Sequence, residues 1–343
     1  MTLQPFAGFE TYSTHHCVTG SLKHIYDSHG YPISEDLLLG LGEGIGFVYF
    51  HIKGVDPFYG GRGNVARPGT EGLEKTIGRR TGVVVESHTT SSTRKAQQTL
   101  RELLDVAEPV LVYLDMGFLP YFDLPDDYHF GGHVVVVAGH DPNEGLVLIA
   151  DRDEQLHPVE WEVLEEARGS KHKPFPPQHM WYTFDFEPAH PPTSGEVWEA
   201  IGGACDAMLR PPIANLGVKG IRKAITETLK WPQVLNQEAL RRTCFNVAMF
   251  IDHRGGTGGG IFRYMYARFL KEAATITAEP RLADLSAKLT TIGDRWEDVA
   301  TVFSQAAEAT EPADLLDDAT TPMNEIADLE QEFWETLATT VTG

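Results

Sequence analysis

Cysteine is scarce in this sequence. Its 343 residues include three cysteines, at positions 17, 205 and 244, and none of them forms the close CxxC pair that zinc sites and redox motifs use. An odd number of widely separated cysteines does not make a disulfide framework either. We therefore predict free thiols in a reducing compartment, and we expect neither a metal nor a cofactor.

Long hydrophobic runs are also missing. No stretch approaches the roughly 20 apolar residues that a membrane-spanning helix needs. The N-terminal segment MTLQPFAGFETYSTHHC lacks the basic region and apolar run of a secretory signal. We expect a cytoplasmic protein with no membrane partner.

Positive charge is in short supply. Lys and Arg total 28 against 49 Asp and Glu, the net charge is −21, and neither Lys nor Arg occurs after Arg295. Proteins that bind nucleic acids need a positive surface patch for the phosphates, so we exclude nucleic acid as a partner. The negative charge allows a cationic substrate, but an acidic surface also simply keeps many proteins soluble.

The first half of the chain has the pattern of an α+β domain. Residues 15–29 and 91–106 have helical spacing, and a short helix follows Ser34. β-Branched or aromatic runs bounded by turn residues predict strands at 47–52, 82–87, 109–116, 133–139, 146–151 and 180–186. This mixture of helices and strands predicts one α+β domain over residues 1–188.

The second half has the pattern of a helical domain. A proline-rich connection, EPAHPPTSG, ends the sheet region, and Thr193 with Glu196 forms a capping-box signature ahead of a helix. Helical spacing continues to the long segment that begins at Arg281, while the acidic stretch 308–322 resembles a mobile linker. We predict a helical domain over residues 193–343 that binds substrate or a partner.

Cys17 is the candidate nucleophile. The helix predicted over 15–29 places Cys17 in its first turn, where exposed backbone N–H groups carry partial positive charge and favour a thiolate. The alternative is that Cys17 is an inert, small hydrophobic residue. We adopt that alternative for Cys205 and Cys244, which lie inside apolar helical patterns.

A cysteine nucleophile needs a base, and His133 is the candidate among 14 histidines. His133 opens a buried strand, and the next strand ends at Asp151. If residues 140–144 form the turn, antiparallel pairing places His133 directly opposite Asp151, whereas a slip of one residue would put them on opposite faces. The sequence leaves open whether Asp151, Asp153 or Asp141 orients the ring, or whether His133 is a core histidine.

The order of helix-borne Cys, strand-borne His and Asp on the next strand is that of papain-like enzymes. HHCVTGSLKHIYDSHGYPISEDLLLGLGEGIGFVYF resembles the N-terminal domain of the butirosin-biosynthesis acyltransferase family. GVKGIRKAITETLKWP and RGGTGGGIFRYMYARFLKEAA resemble the helical domain of unknown function that often follows it. The resemblance implies a papain-like fold, secondary-metabolite biosynthesis, and transfer of an acyl group from a carrier-protein thioester through Cys17 to an amine.

The glycine-rich stretch GLGEGIGF does not fit a dinucleotide-binding loop, because it follows a helical segment and does not lead into another helix. We interpret it as a loop near the substrate, with Glu43 and Gly44 as candidate substrate-binding residues and a solvated Glu43 as the alternative. His16 is a further candidate, lining an oxyanion hole beside the Cys17 N–H group. The run RGGTGGGIF precedes a helix and could bind an anion, although close packing is the simpler explanation.

We therefore predict a cysteine-dependent acyltransferase with Cys17, His133 and Asp151 as its catalytic residues. Its partners would be an acyl carrier protein and a small-molecule amine acceptor. Two alternatives remain: a thioesterase or peptidase that uses the same residues with water, and a non-enzymatic binding protein on the same fold.

Overall fold

The computed structural model describes residues 3–66, 69–125, 128–173, 175–255 and 257–342. They form two compact units, one made of Met1–Leu38 and Thr81–His190, the other of Leu39–Arg80 and Pro191–Gly343. The contiguous division predicted from the sequence, 1–188 and 193–343, differs from these units in the placement of residues 39–80. Two of their glycines pack against later residues of the C-terminal unit, Gly40 against the ring of Phe269 and Gly60 against the backbone of Thr257.

The described residues form eight strands and twelve α-helices. The strands are β1 (Val48–Phe50), β2 (Phe58–Gly60), β3 (Val84–His88), β4 (Val110–Leu114), β5 (His133–Asp141), β6 (Leu146–Ala150), β7 (Leu156–Glu160) and β8 (Trp181–Asp185). The helices are α1 (Cys17–Ser28), α2 (Glu35–Leu41), α3 (Leu73–Thr81), α4 (Thr93–Asp105), α5 (Trp161–Gly169), α6 (Ser194–Leu209), α7 (Gly217–Thr228), α8 (Trp231–Val234), α9 (Gln237–Ile251), α10 (Gly260–Thr277), α11 (Arg281–Glu308) and α12 (Leu316–Thr342).

The N-terminal unit is built on a six-stranded antiparallel sheet with the order β3-β8-β4-β5-β6-β7. Helix α1 packs against β5, near the middle of this sheet. One face of the sheet carries a core of Val, Leu and Ile side chains that extends to residues of α4 and α5. Strand β5 is buried from His133 to Gly139, as expected for a strand covered on both faces.

A β-bulge interrupts the pairing of β5 with β6. Val136 pairs with Ala150 and Val137 with Ile149, but on the other side of the bulge Gly139 pairs with Leu148. Ala138 is thus the extra residue, and its carbonyl accepts a hydrogen bond of 2.8 Å from the Phe6 N–H group. The predicted register, with His133 opposite Asp151, is therefore wrong by two residues, because the position of the turn shifts the pairing by three residues and the extra residue of the bulge takes one back.

The C-terminal unit combines the two-stranded antiparallel sheet β1-β2 with helices. The capping box predicted for α6 is confirmed, since the Thr193 and Glu196 side chains each accept from the other's backbone N–H group. The helical spacing predicted for the segment that begins at Arg281 is also confirmed, because six apolar residues at that spacing are buried in α11: Leu285, Leu289, Ile292, Trp296, Val299 and Phe303.

One interpretation of this region was wrong. The acidic stretch 308–322 is not a mobile linker: after a 3-10 turn at Pro312–Leu315 it enters α12, which continues through Pro322. In α12, Leu316, Ala319 and Met323 are buried at helical spacing, and this packing outweighs the acidic composition.

The predicted α+β class and the mostly helical C-terminal half are confirmed. The sequence patterns did not predict β2, β7, α3 or α5. Strand β7 contains Pro158, which is tolerated because β7 is an edge strand of the sheet. No helix in the described part of the chain is both long and apolar enough to cross a bilayer.

Candidate active site

Cys17 is the first residue of α1 and is half-buried. The N-cap residue His16 is extended and gives no side-chain cap to the helix. Instead, the buried carboxylate of Glu35 accepts hydrogen bonds from the backbone N–H groups of His15 (2.9 Å) and His16 (2.8 Å) and from the Thr19 hydroxyl (2.9 Å). Glu35 therefore fixes the backbone that leads into Cys17 and places a carboxylate at the positive end of the helix.

His133 makes contact with both of the other predicted catalytic residues. Its Nε2 lies 2.8 Å from Oδ2 of Asp151, and its ring is hydrogen-bonded to the Cys17 side chain. His133 and Asp151 are 4% and 5% exposed, so the pair is almost fully removed from water. With Nε2 bonded to the carboxylate, Nδ1 is the ring nitrogen left for the sulfur.

The electrostatics of the pair favour the charged imidazolium. Burial lowers the pKa of His133, but the charge of Asp151 and the hydrogen bonds with Asp151 and Cys17 outweigh burial and raise that pKa to about 9. Burial raises the pKa of Asp151, but the charge and hydrogen bond of His133 outweigh it and hold that pKa below its usual value. Asp151 thus remains ionised beside a protonated ring.

Parity along the strands explains why the two side chains meet. Continued by one residue, the pairing of Val136 with Ala150 places Asp151 opposite Val135, two residues from His133. Residues two apart on a strand share a face, and diagonal neighbours across a ladder are within reach of long side chains. Without the extra residue Ala138, the register beyond the bulge would put Asp151 on the other face.

The two other carboxylates that the sequence left open have different partners. Asp153 lies 3.0 Å from Nε2 of His157, and Asp141 accepts the N–H groups of Asn143 and Glu144 in the turn after β5. Asp151 is thus the carboxylate that holds His133.

Two family models match the chain. Residues 16–152 match the family described as butirosin biosynthesis protein H, N-terminal, and residues 162–337 match a domain of unknown function (DUF4872). The chain belongs to the DUF4872 family, and the N-terminal domain of butirosin biosynthesis protein H precedes the DUF4872 domain in it. The N-terminal match begins one residue before Cys17 and ends one residue after Asp151.

The description of the N-terminal model names a protein of butirosin biosynthesis, and this match supports a biosynthetic enzyme in general terms. No curated protein sequence matches the chain significantly.

Tyr121 is a residue of this site that the sequence patterns did not indicate. Its hydroxyl donates to Oδ2 of Asp151 at 2.9 Å, the same oxygen that His133 contacts. Its ring stacks on His157, with centroids 3.9 Å apart, and the edge of the neighbouring Phe122 packs against His133. Tyr121 lies in an irregular segment after β4, and no local motif could have identified it.

His24 is a second histidine near the carboxylate. The backbone N–H of Tyr12 donates to its Nε2 at 3.1 Å, so the proton of the neutral ring is on Nδ1. Burial lowers the pKa of His24 to about 4, which keeps it neutral near pH 7. The site therefore holds one charged and one neutral imidazole.

The predicted substrate-binding residues Glu43 and Gly44 lie in the C-terminal unit. Glu43 has a left-handed backbone (φ 54°) and forms an ion pair of 2.5 Å with the buried Arg80. Gly44 packs tightly, since a Cβ there would lie 2.8 Å from a methyl group of Leu73. These contacts give both residues a structural role, and their role in substrate binding stays a prediction.

His16 is buried, and two of its contacts hold it to neighbouring residues. Its backbone N–H is bonded to Glu35, and its Nδ1 lies 3.2 Å from the Thr19 hydroxyl. Its predicted place in an oxyanion hole stays a prediction. An open cavity of about 490 Å³ lies beside this segment, between residues 13–15, Lys23 and residues 32–36.

The glycine-rich run before α10 packs closely. A Cβ on Gly260 would collide with the Glu297 carboxylate, and one on Gly259 with the Ile251 backbone. The Glu297 charge at this helix start opposes the anion binding considered from the sequence.

Among the described residues, one group brings three potential metal ligands within 4.8 Å: Asp252, His253 and Glu297. The Arg254 guanidinium already binds both oxygens of Asp252, at 2.9 and 2.7 Å. We assign no metal to it.

Proposed function

We propose that this protein is a cysteine-dependent acyltransferase of a biosynthetic pathway. It would take an acyl group from a thioester, such as that of an acyl carrier protein, and deliver it to an amine of a small molecule. One observation carries the proposal: a single imidazole contacts both the half-buried thiol at a helix start and a buried carboxylate. In this proposal the helical residues 193–343 bind the substrate or the partner.

The first step uses the ion pair of Cys17 and His133. The Cys17 thiolate attacks the carbonyl carbon of the thioester, the carbon–sulfur bond of the donor breaks, and the donor leaves as a thiol that takes the imidazolium proton. Asp151 holds the ring in one orientation and stabilises its charged form. The products are an acyl thioester on Cys17 and a neutral His133.

The second step uses His133 as a general base. The amine nitrogen attacks the acyl carbon, and the neutral imidazole accepts its proton. A carbon–nitrogen bond forms, the bond to Cys17 breaks, and the thiolate and imidazolium are restored.

The other two cysteines are poor competitors for the acyl donor. Cys205 and Cys244 are buried, and burial raises the pKa of each thiol to about 12. They have almost no thiolate at neutral pH, so acylation is expected on Cys17 alone.

Mass spectrometry after incubation with a butyryl N-acetylcysteamine thioester tests the proposal. We expect one butyryl group on the wild-type protein, located on the peptide that contains Cys17, and none on Cys17→Ala. Cys205→Ala is the matched control and should be acylated like the wild type. A wild-type protein that stays unmodified, or is acylated elsewhere, contradicts the proposal.

Adding amines to the isolated acyl-protein distinguishes a transferase from a hydrolase. An aminoglycoside or an alkylamine should accelerate loss of the acyl group and yield an amide. Release of the free acid at a rate independent of the amine would instead identify a thioesterase that uses the same residues.

A further inference from the structure

Tyr121 and His133 share one oxygen atom of Asp151. The Tyr121 hydroxyl lies 2.9 Å and His133 Nε2 2.8 Å from Oδ2, while the other oxygen, Oδ1, is buried and has no hydrogen-bond partner among the described residues. The two donors therefore compete for the same negative charge. Any change in one of these hydrogen bonds must alter the other.

The Tyr121 hydroxyl can act here only as a donor. Burial, followed by the charge of Asp151, raises the pKa of Tyr121 well above its ordinary value. The phenol therefore stays protonated across the working range of pH, and its hydrogen bond always withdraws charge from the carboxylate.

A fully buried carboxylate anchors residues on either side of Tyr121 along the chain. Asp115, which follows β4, accepts the N–H groups of Gly117 (3.1 Å) and Phe130 (2.9 Å) with one oxygen. Its other oxygen accepts from the Ser170 hydroxyl (2.6 Å) and contacts Nδ1 of His129 (3.0 Å). The stacking of Tyr121 on His157 adds a second restraint, which keeps the hydroxyl next to Asp151.

We propose that Tyr121 is a positioning residue that sets how strongly Asp151 holds the proton of His133. By taking part of the carboxylate charge, the hydroxyl weakens the attraction between Asp151 and the imidazolium. His133 then releases its proton more readily, so that near neutral pH a larger fraction of the ring is neutral and can accept the proton of the amine. The inference rests on the proposed function for its consequence in catalysis, but the coupling of the three side chains does not.

Other charged or titratable groups face His133 and Asp151, and they are the same in the wild type and in Tyr121→Phe. They are Cys17 and His24 on α1, Arg152 and Asp153 after β6, and His157 on β7. A change confined to the Tyr121 hydroxyl leaves all of them in place. Replacement by Phe keeps the ring, its stacking and the shielding from water.

Titration of the His133 ring by NMR in ¹⁵N-histidine-labelled protein tests the inference, with the His133 signals assigned from their absence in His133→Gln. In Tyr121→Phe we expect the pKa of His133 to rise by about half a unit to one unit. Incorporation of 3-fluorotyrosine at position 121, a stronger donor, should shift the pKa in the opposite direction. An unchanged or lowered pKa in Tyr121→Phe, or a raised one with fluorotyrosine, overturns the inference.

Tyr26→Phe is the matched control. Tyr26 is a buried tyrosine of the same unit, and its hydroxyl lies 2.9 Å from the hydroxyl of Thr81. Its loss should lower thermal stability to a degree similar to Tyr121→Phe but leave the His133 titration unchanged. An equal shift of the His133 titration in both variants would mean that hydroxyl loss acts through general destabilisation, and would overturn the specific role of Tyr121.

A kinetic measurement separates this inference from the proposed function. In Tyr121→Phe, aminolysis of acyl-Cys17 near neutral pH should slow by about threefold to tenfold with an unchanged KM for the amine, because a raised pKa leaves a smaller fraction of His133 in the neutral form that accepts the proton. If Cys17 is never acylated but the titration shifts as expected, the proposed function fails and the inference stands. If Cys17 is acylated but neither titration nor aminolysis changes, the inference fails and the proposed function stands.

Discussion

Asp151 lies diagonally across the β5–β6 ladder from His133, and its carboxylate nevertheless reaches the ring at 2.8 Å. A diagonal contact requires both residues to share a face of the sheet. That condition depends on the extra residue at Ala138, since an even offset preserves the face and an odd offset reverses it.

Asp151→Asn should reveal the ion pair through the pH dependence of stability. Because the pKa of His133 is raised, the ion pair contributes to the free energy of unfolding in full below about pH 6.5, and this contribution is lost as pH rises through about 9. Because the pKa of Asp151 is lowered, its contribution to the free energy of unfolding is complete above about pH 4 and is lost as pH falls further. The variant should therefore be less stable by on the order of 3 kcal/mol between about pH 4 and 6.5, with smaller differences on either side.

Urea denaturation at roughly pH 3, 5.5 and 10 measures the effect. The first and last conditions lie outside the range of roughly pH 4 to 9 in which the ion pair stabilises the protein. Asp153→Asn is the control, because Asp153 is exposed and contacts His157 instead. A pH-independent difference between wild type and Asp151→Asn would argue against the ion pair.

Glu35→Ala should affect both stability and the reactivity of Cys17. The substitution leaves the buried His16 N–H group, the part-buried His15 N–H group and the Thr19 hydroxyl without their acceptor, which should lower the free energy of unfolding by about 2–4 kcal/mol. Because these bonds fix the entry to α1, alkylation of Cys17 by iodoacetamide should slow by about tenfold or more. Glu10→Ala, at an exposed position in the same unit, should change neither the stability nor the alkylation rate of Cys17. A folded Glu35→Ala protein whose Cys17 is alkylated at the normal rate would contradict the role of Glu35.

Gly139→Ala should detach the N-terminal segment from the bulge. A Cβ at this position would lie 2.6 Å from the Gln4 carbonyl oxygen and 3.2 Å from Pro5 Cα, and neither backbone atom can move cheaply. We expect a loss of about 1–3 kcal/mol and faster hydrogen exchange of the Phe6 amide. At Gly195 a Cβ meets only one atom, at 3.9 Å, so Gly195→Ala should be neutral or slightly stabilising; equal effects of the two variants would refute the explanation.

Arg263→Met should strongly destabilise the C-terminal unit. Arg263 and Glu330 are both fully buried and form an ion pair of 2.7 Å, and Trp296 and Trp334 also donate to Glu330. Removing one partner leaves a buried, uncompensated charge, for which about 3–5 kcal/mol is expected. Arg222→Met removes the exposed pair with Asp328 and should cost about 0–1 kcal/mol, and urea denaturation compares the two.

The sequence predicts the elements that follow simple periodicities. The buried strands β4, β5, β6 and β8 and helices such as α1, α6 and α11 have strong patterns, and they lie within a few residues of the predicted positions. The contacts of Cys17, His133 and Asp151 could also be anticipated, because two of these residues begin elements and the third directly follows a strand.

Features that depend on packing between distant segments could not be predicted. The carbonyl of Ala138 in the bulge accepts a hydrogen bond from the Phe6 amide, and Glu35 from the next helix accepts one from the backbone just before α1. Tyr121 acts from an irregular segment, where hydrophobic periodicity gives no signal. The predicted register was wrong by two residues, and the site survives this error only because the offset is even.

The bulge also determines where the lineage can tolerate insertions and deletions. Length changes in residues 142–145, the tip of the β5–β6 hairpin, leave both strands facing the same way, so relatives can vary there freely. Gaining or losing a single residue between His133 and the bulge would turn the imidazole toward the wrong side of the sheet. In aligned relatives, gaps should therefore collect at the hairpin tip and be absent from the five positions that follow His133 up to Ala138.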